Sequence, residues 1–217
     1  MSLSSADMSD VASRVYVDSP LFRRMIQRWR PYICPFHLLV EEMPKAARVL
    51  DVGCGSGLFL ALLAHHGKLS EGYGFDSNAE AVEMANRMLH RLPPDPDVHI
   101  EYRDAAAAWP SGEFEIVSMI DVLHHVPPDE QRNVIFEAAQ HVAPGGLFLY
   151  KDMVDRPLWR AWANRLHDLV LARQWIHYAS LADVCRWVEE AGLKRSNENS
   201  LNMLWYGHEW VTYRRPE

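Results

Sequence analysis

Four aspartates, a glycine-rich turn and a histidine pair offer most of the chemistry in this sequence. Asp51 precedes Gly53, Gly55 and Gly57 in the run RVLDVGCGSGL, and Asp76, Asp104 and Asp121 each follow a later apolar run, the last leading into His124 and His125. A carboxylate can accept two hydrogen bonds at once, and closely spaced glycines let the backbone itself approach a ligand. An imidazole, whose ordinary pKa is roughly 6.5, exchanges a proton near neutral pH. Together these residues could accept hydrogen bonds from a ligand held against backbone and exchange a proton beside it.

The elements that must position them follow from hydrophobic patterning. Val49, Leu50 and Val52 form the short apolar run of a parallel strand buried on both faces, and residues 58–64 (LFLALLA) read as a buried helix, so the glycines lie between a strand and a helix. Open α/β sheets bind nucleotides at such a junction. A dinucleotide fingerprint would need a small residue at position 58, where this chain has Leu58. Further strands are expected over 72–75, 98–103, 115–120 and 147–151, with Asp76, Asp104 and Asp121 at three successive strand ends. Helices are expected over 21–30, 36–43, 78–90, 128–142, 157–174 and 181–191, the last closed by Gly192, and Pro144-Gly145-Gly146 is read as the connection into the fifth strand. Residues 1–18 are polar and expected to be loose, while 194–203 and 205–214 are close enough to pair as antiparallel strands.

The order Asp51-x-Gly53-x-Gly55-x-Gly57, the acids at later strand ends and the antiparallel ending resemble class I S-adenosylmethionine-dependent methyltransferases of the small-molecule type. The resemblance covers roughly residues 20–214, with the motifs in 48–152. It implies a Rossmann-like three-layer sandwich with a seven-stranded, mostly parallel sheet whose last strand is antiparallel. It also implies one domain, 1–217, with a helical lid over 1–47, a cofactor core over 48–153, a helical cap over 154–192 and a strand pair over 193–217. The implied cofactor is S-adenosylmethionine, with S-adenosylhomocysteine as product. By resemblance, Gly53, Cys54, Gly55 and Gly57 face its methionine part, Asp51 orients the loop near its amino group, and Asp76 with Ser77 takes the ribose. Asp104 and Ala105 then meet the adenine, and Asp121 and Val122 the methionine and methyl group.

Methyl transfer is an in-line displacement that needs its partners aligned and water excluded. An oxygen or activated carbon acceptor also loses a proton, and His125, four residues after Asp121, is the expected base, with His124 beside it. The alternative role for both is packing at a helix entry. Tyr16, Lys151, His177 and Tyr178 are candidates to touch the substrate, and Asp152 follows Lys151 at the same strand end. No metal site is expected, since an adjacent histidine pair without further ligands does not make one.

Charge narrows the partners. The net charge of −7 is concentrated in residues 49–155, which hold 17 acidic and 6 basic side chains, whereas 1–48 hold 5 and 7. An acidic middle is a poor footprint for nucleic acid, which is bound through cations on phosphate. The Asn/Asp-Pro-Pro-Tyr and Pro-Cys signatures of base methylation are also missing, since Pro127-Pro128 is followed by Asp129, and Cys34-Pro35 runs in the reverse order. Seven of the eight tryptophans lie outside 49–155, and most are read as joining the added helices to the sheet, a minority as lining a substrate cavity. With the resemblance, an aromatic and slightly basic cap suggests a small, aromatic or lipid-like acceptor methylated on oxygen, carbon or nitrogen. Three scattered cysteines, a polar start and no long apolar run lead to the expectation of a cytoplasmic monomer or homodimer without stable membrane insertion. A non-catalytic cofactor-binding protein and a dinucleotide-dependent oxidoreductase are the competing readings.

Overall fold

The structure, a computed structural model, describes residues 2–45, 47–105, 107–153, 177–204 and 206–217. The chain divides into two compact units, Met1–Ala107 and Ala108–Glu217. Among the described residues seven strands make one sheet. The first unit supplies β1 (Ala47–Val52), β2 (Leu69–Asp76) and β3 (Asp97–Tyr102) in the order β3-β2-β1. The second supplies β4 (Phe114–Ile120), β5 (Val142–Met153), β6 (Lys194–Met203) and β7 (Tyr206–Arg214) in the order β4-β5-β7-β6. Pairs β1-β2, β2-β3 and β4-β5 are parallel, and β7 runs antiparallel to both β5 and β6. The expected fold class, a seven-stranded mostly parallel sheet with an antiparallel last strand and flanking helices, is therefore present.

In the first unit the sheet is preceded by α1 (Ser5–Val15), α2 (Leu21–Ile33) and α3 (Phe36–Glu42), and α4 (Leu58–His65) and α5 (Ala79–Leu89) connect its strands. The start of the chain, expected to be loose, is instead helical from Ser5. Ser4 Oγ accepts from the Asp7 amide at 3.2 Å while the Asp7 carboxylate accepts from the Ser4 amide at 2.8 Å, a reciprocal cap on two orphan donors. Met8, Val11, Ala12 and Val15 then bury one helical stripe. Helix α4 is apolar all round, and Leu58 to Ala64 are all buried, as a helix enclosed on every side must be.

The second unit adds α6 (Pro128–Gln140), a 3₁₀ turn (Leu123–His125) and α7 (Leu181–Glu190). Strand β5 begins five residues earlier than expected, because Val142 already pairs with Phe114 before the register shifts and Leu147 faces Ile116. Pro144-Gly145-Gly146 is thus an irregularity within the strand rather than a connection into it. A Cβ at Gly146 would lie 2.8 Å from the Ala143 carbonyl oxygen and 3.0 Å from that of Glu115, which explains the glycine. The helix expected over 157–174 lies outside the described residues. Cys34, Cys54 and Cys185 are buried and form no disulfide among the described residues.

Gly57 sits at the N-cap of α4 with φ +78°, where a Cβ would approach Ile100 Cδ1 and Met88 Cε to 2.8 Å. Both the left-handed backbone and the crowding oppose a side chain. Gly57→Ala should lower stability by about 1–3 kcal/mol, and an unfolding midpoint equal to wild type in a thermal melt would show that α5 and β3 can yield.

Candidate functional site

In the first unit, the turn after β1 holds Gly53, Gly55 and Gly57 at φ +65°, +55° and +78°, a conformation open to glycine at little steric cost. The Cys54 amide donates to the Phe75 carbonyl at 3.0 Å, tying the turn to β2. Asp76, at the end of β2, does the same from its side chain: Oδ2 accepts from the Gly55 amide at 2.7 Å and Oδ1 from the Asn78 amide at 2.8 Å. Each carboxylate oxygen retains lone-pair capacity for another donor. Ser77 and Asp104 are exposed, Ala105 and the Asp76 side chain are partly so, and Asp51 is buried. The fully buried Cys54 thiol is pushed up by burial and, secondarily, by Asp51 and Asp76, so it remains protonated and unreactive at neutral pH.

Tyr16, expected to touch the substrate, is instead a buried support for this turn, its hydroxyl donating to the Ser56 carbonyl at 2.7 Å. Burial raises its pKa, and the phenol stays a donor. Arg30 was not singled out by sequence. Its Nη1 lies 3.9 Å from where a Gly55 Cβ would stand, and among the described residues other than Gly55's chain neighbours nothing else comes within 4 Å, which leaves space there under a cation. The Ser56 hydroxyl in the same turn is buried with no hydrogen-bond partner among the described residues. A two-acceptor carboxylate, an open backbone edge, a cation and an orphan hydroxyl fit an amino-acid nucleoside, as S-adenosylmethionine is.

In the second unit, β5 ends in Tyr150, Lys151 and Asp152, and all three are buried. Lys151, expected as a substrate contact, is fully enclosed and its Nζ donates to Asp121 Oδ1 at 2.5 Å. The Asp121 amide also donates to the Lys151 carbonyl at 2.9 Å, and Asp121 takes φ +57°, which costs a non-glycine residue strain that the surrounding bonds must hold. His124 Nδ1 donates to Asp152 Oδ1 at 2.7 Å, the direction an acceptor-only carboxylate requires. Tyr150 donates to the other Asp152 oxygen at 3.3 Å, and burial, with that carboxylate next, pushes its phenol well above the ordinary range.

The two histidines expected together differ in setting. His124 is 2% exposed, whereas His125 is exposed, its ring centroid 4.2 Å from that of His124. The Tyr178 ring lies 5.3 Å from His124, and the His177 amide donates to the His124 carbonyl at 2.9 Å, so both residues do adjoin the histidine turn. The His177 role seen here is main-chain. Gln131, which sequence did not mark, bonds the carbonyls of Leu123, Val126 and His177 from its side-chain amide at 2.7–3.1 Å and fixes the turn. Val122 leads into that turn and is partly buried. Among the described residues no cluster of three His, Cys, Asp or Glu could hold a metal ion.

A family model described as a methyltransferase domain matches residues 22–196. Solved structures share the fold at low identity. An O-methyltransferase family protein from Burkholderia thailandensis is 24% identical with TM-score 0.69, the match covering 90% of this chain and 58% of that one. Magnesium protoporphyrin IX methyltransferase from Synechocystis, with S-adenosylhomocysteine bound, is 21% identical with TM-score 0.68, covering 95% and 93%. A Haloferax volcanii methyltransferase in complex with the Trm112 activator is 16% identical with TM-score 0.72, covering 98% and 99%. No curated protein matches.

The Lys151-Asp121 pair generates a stability test. Removing one partner of an enclosed ion pair strands the other charge and typically costs about 3–5 kcal/mol. Lys151→Met should therefore destabilise strongly in urea unfolding, and Lys151→Met with Asp121→Asn should recover part of the loss. A double variant no more stable than the single one would assign the cost to packing instead.

Proposed function

Because the chain belongs to the methyltransferase-domain family, and so takes its methyl group from S-adenosylmethionine, we propose that the first unit's glycine turn holds that cofactor and that the acceptor is a small molecule. The observation that carries this is Asp76, which spends one backbone bond on each oxygen and keeps capacity for two adjacent ribose hydroxyls. Arg30 and the open edge of Gly55 suit the carboxylate end of the cofactor, and Asp51 its amino group. Asp104 and Ala105 serve the adenine, as their place after β3 suggests, with Ser77 at the rim. The acidic middle of the chain, 17 acids against 6 bases over 49–155, favours a small acceptor over nucleic acid. An oxygen, carbon or nitrogen acceptor of aromatic or lipid-like character agrees with the aromatic flanks.

When bound, the cofactor supplies an electrophilic methyl on sulfur. This chain's task is to free an acceptor lone pair, and we assign that proton to His125. It is exposed, with its ring tilted 48° against that of His124, while His124 is enclosed and committed to Asp152, which makes His124 the positioning residue of the pair. Removing His124 would take one donor from the buried Asp152 carboxylate and leave it the Tyr150 hydroxyl and the Met153 amide.

Asp76→Ala should weaken S-adenosylhomocysteine binding about tenfold or more in a calorimetric titration, each lost bond to a charged acceptor being worth about 1.5–3 kcal/mol. Asp104→Ala should be milder, since stacking of the base remains. Unchanged affinity on Asp76→Ala removes the residue from the site.

His125→Asn should lower turnover about 10²-fold with cofactor affinity and thermal stability nearly unchanged. A panel of phenols, quinones and hydroxy acids, scored by mass gain of one methyl, supplies the acceptor. Wild-type turnover by His125→Asn on that acceptor would move the base elsewhere, Tyr178 being next in place.

A further inference from the structure

Helix α2 is turned with its apolar side outward. With 3.6 residues per turn, Leu21, Phe22, Met25, Ile26, Trp29 and Tyr32 occupy one arc of about 140°, and all six are exposed, Leu21 by 74%, Phe22 by 66% and Trp29 by 60%. The opposite side is the buried one, and it carries Gln27 and Pro31, with Gln27 Oε1 buried and without a hydrogen-bond partner among the described residues. An amphipathic helix in a globular protein buries its apolar stripe, and none of the described residues buries this one, which leaves the face open to an occupant.

Charge identifies that occupant. Residues 21–33 contain four arginines and no acid, in a chain of net charge −7. Arg24 and Arg28 border one edge of the apolar arc, and Arg23 and Arg30 the other. Arg23 is committed to Glu80, and Arg30 reaches the glycine turn. Arg24 and Arg28 have no ion pair among the described residues. An apolar face containing Trp and Phe, edged by long cationic side chains, is the pattern of a helix lying in a bilayer interface, with rings at acyl depth and guanidinium groups among headgroup phosphates. A second copy of this chain would instead set like-charged arginine edges against each other.

We propose that α2 docks this protein on an anionic phospholipid surface by adsorption. No helix among the described residues is long and apolar enough to cross a membrane, which agrees with a peripheral mode. The proposal does not depend on which acceptor is methylated.

The test is cosedimentation of the full chain with phosphatidylcholine vesicles and with equimolar phosphatidylcholine–phosphatidylglycerol vesicles. The wild type should bind the anionic vesicles at least tenfold more tightly and lose binding as salt rises. Phe22→Ser with Trp29→Ser should reduce binding at least tenfold. Arg24→Gln with Arg28→Gln should reduce it by about fivefold per arginine on anionic vesicles only. S-adenosylhomocysteine affinity should be unchanged in both variants, which keeps the result separate from the cofactor assignment and reports an intact fold. Absence of wild-type binding to anionic vesicles, or variants that bind like wild type, overturns the proposal. A dimer in light scattering that Phe22→Ser converts to a monomer also overturns it, and gives the face to a second copy.

Discussion

Parallel strands end with carbonyls and amides that the ladder no longer pairs, and in the first unit one carboxylate settles two of them. Asp76 takes the Gly55 amide from the turn after β1 and the Asn78 amide at the head of α5. The shape of the glycine turn, the entry of α5 and the register of β1 against β2 therefore share one anchor. Its requirements radiate outward. The turn can fold this tightly only with glycine at positive φ, and α4 can begin at Gly57 only because no side chain there meets Met88 and Ile100. A carboxylate held by backbone donors is also fixed in orientation before any ligand arrives, which spares the ordering cost at binding.

The second unit solves a different problem, how to enclose charge. Strand β5 buries a lysine, an aspartate and a tyrosine in succession, and each finds its complement: Lys151 in Asp121, Asp152 in His124 and in Tyr150. Buried polar networks stabilise only when every member is satisfied. Gln131 completes this one from α6 by holding three carbonyls around the 3₁₀ turn. The result is a short turn braced by three hydrogen bonds, with the His124 imidazole buried and His125 left at the surface.

Much of this was legible from residue order. The alternation of apolar runs with acids at their ends, and the short gap before the final strand, specified the sheet and the placing of Asp76. What escaped has physical reasons. Helix α1 was hidden because its core positions, Met8, Val11, Ala12 and Val15, are diluted by serines that read as loop, although the Ser4-x-x-Asp7 cap was there to be seen. The start of β5 was obscured by Pro144-Gly145-Gly146, which usually separates elements and here bulges within one. Which of His124 and His125 turns inward could not be read, because a three-residue 3₁₀ turn has no periodicity to orient it. Arg30 and Asp152 act across long sequence separations, on Gly55 and His124, where no spacing rule reaches. Lys151 looked available because strand alternation marks faces, and β5 is enclosed on both.

The strained backbone at Asp121 has a consequence for how this chain can drift. Left-handed φ admits chiefly glycine, asparagine or aspartate, and the enclosed ammonium of Lys151 demands that the residue there be an anion. Steric tolerance and charge thus intersect on a single amino acid. Replacing either member alone leaves a marooned charge, so a neutral mutational path between homologues has to cross both sites in one step or through an intermediate that folds poorly. The two positions, 30 apart in sequence, should be inherited as one character, and lineages that abandon one should be found to have abandoned the other.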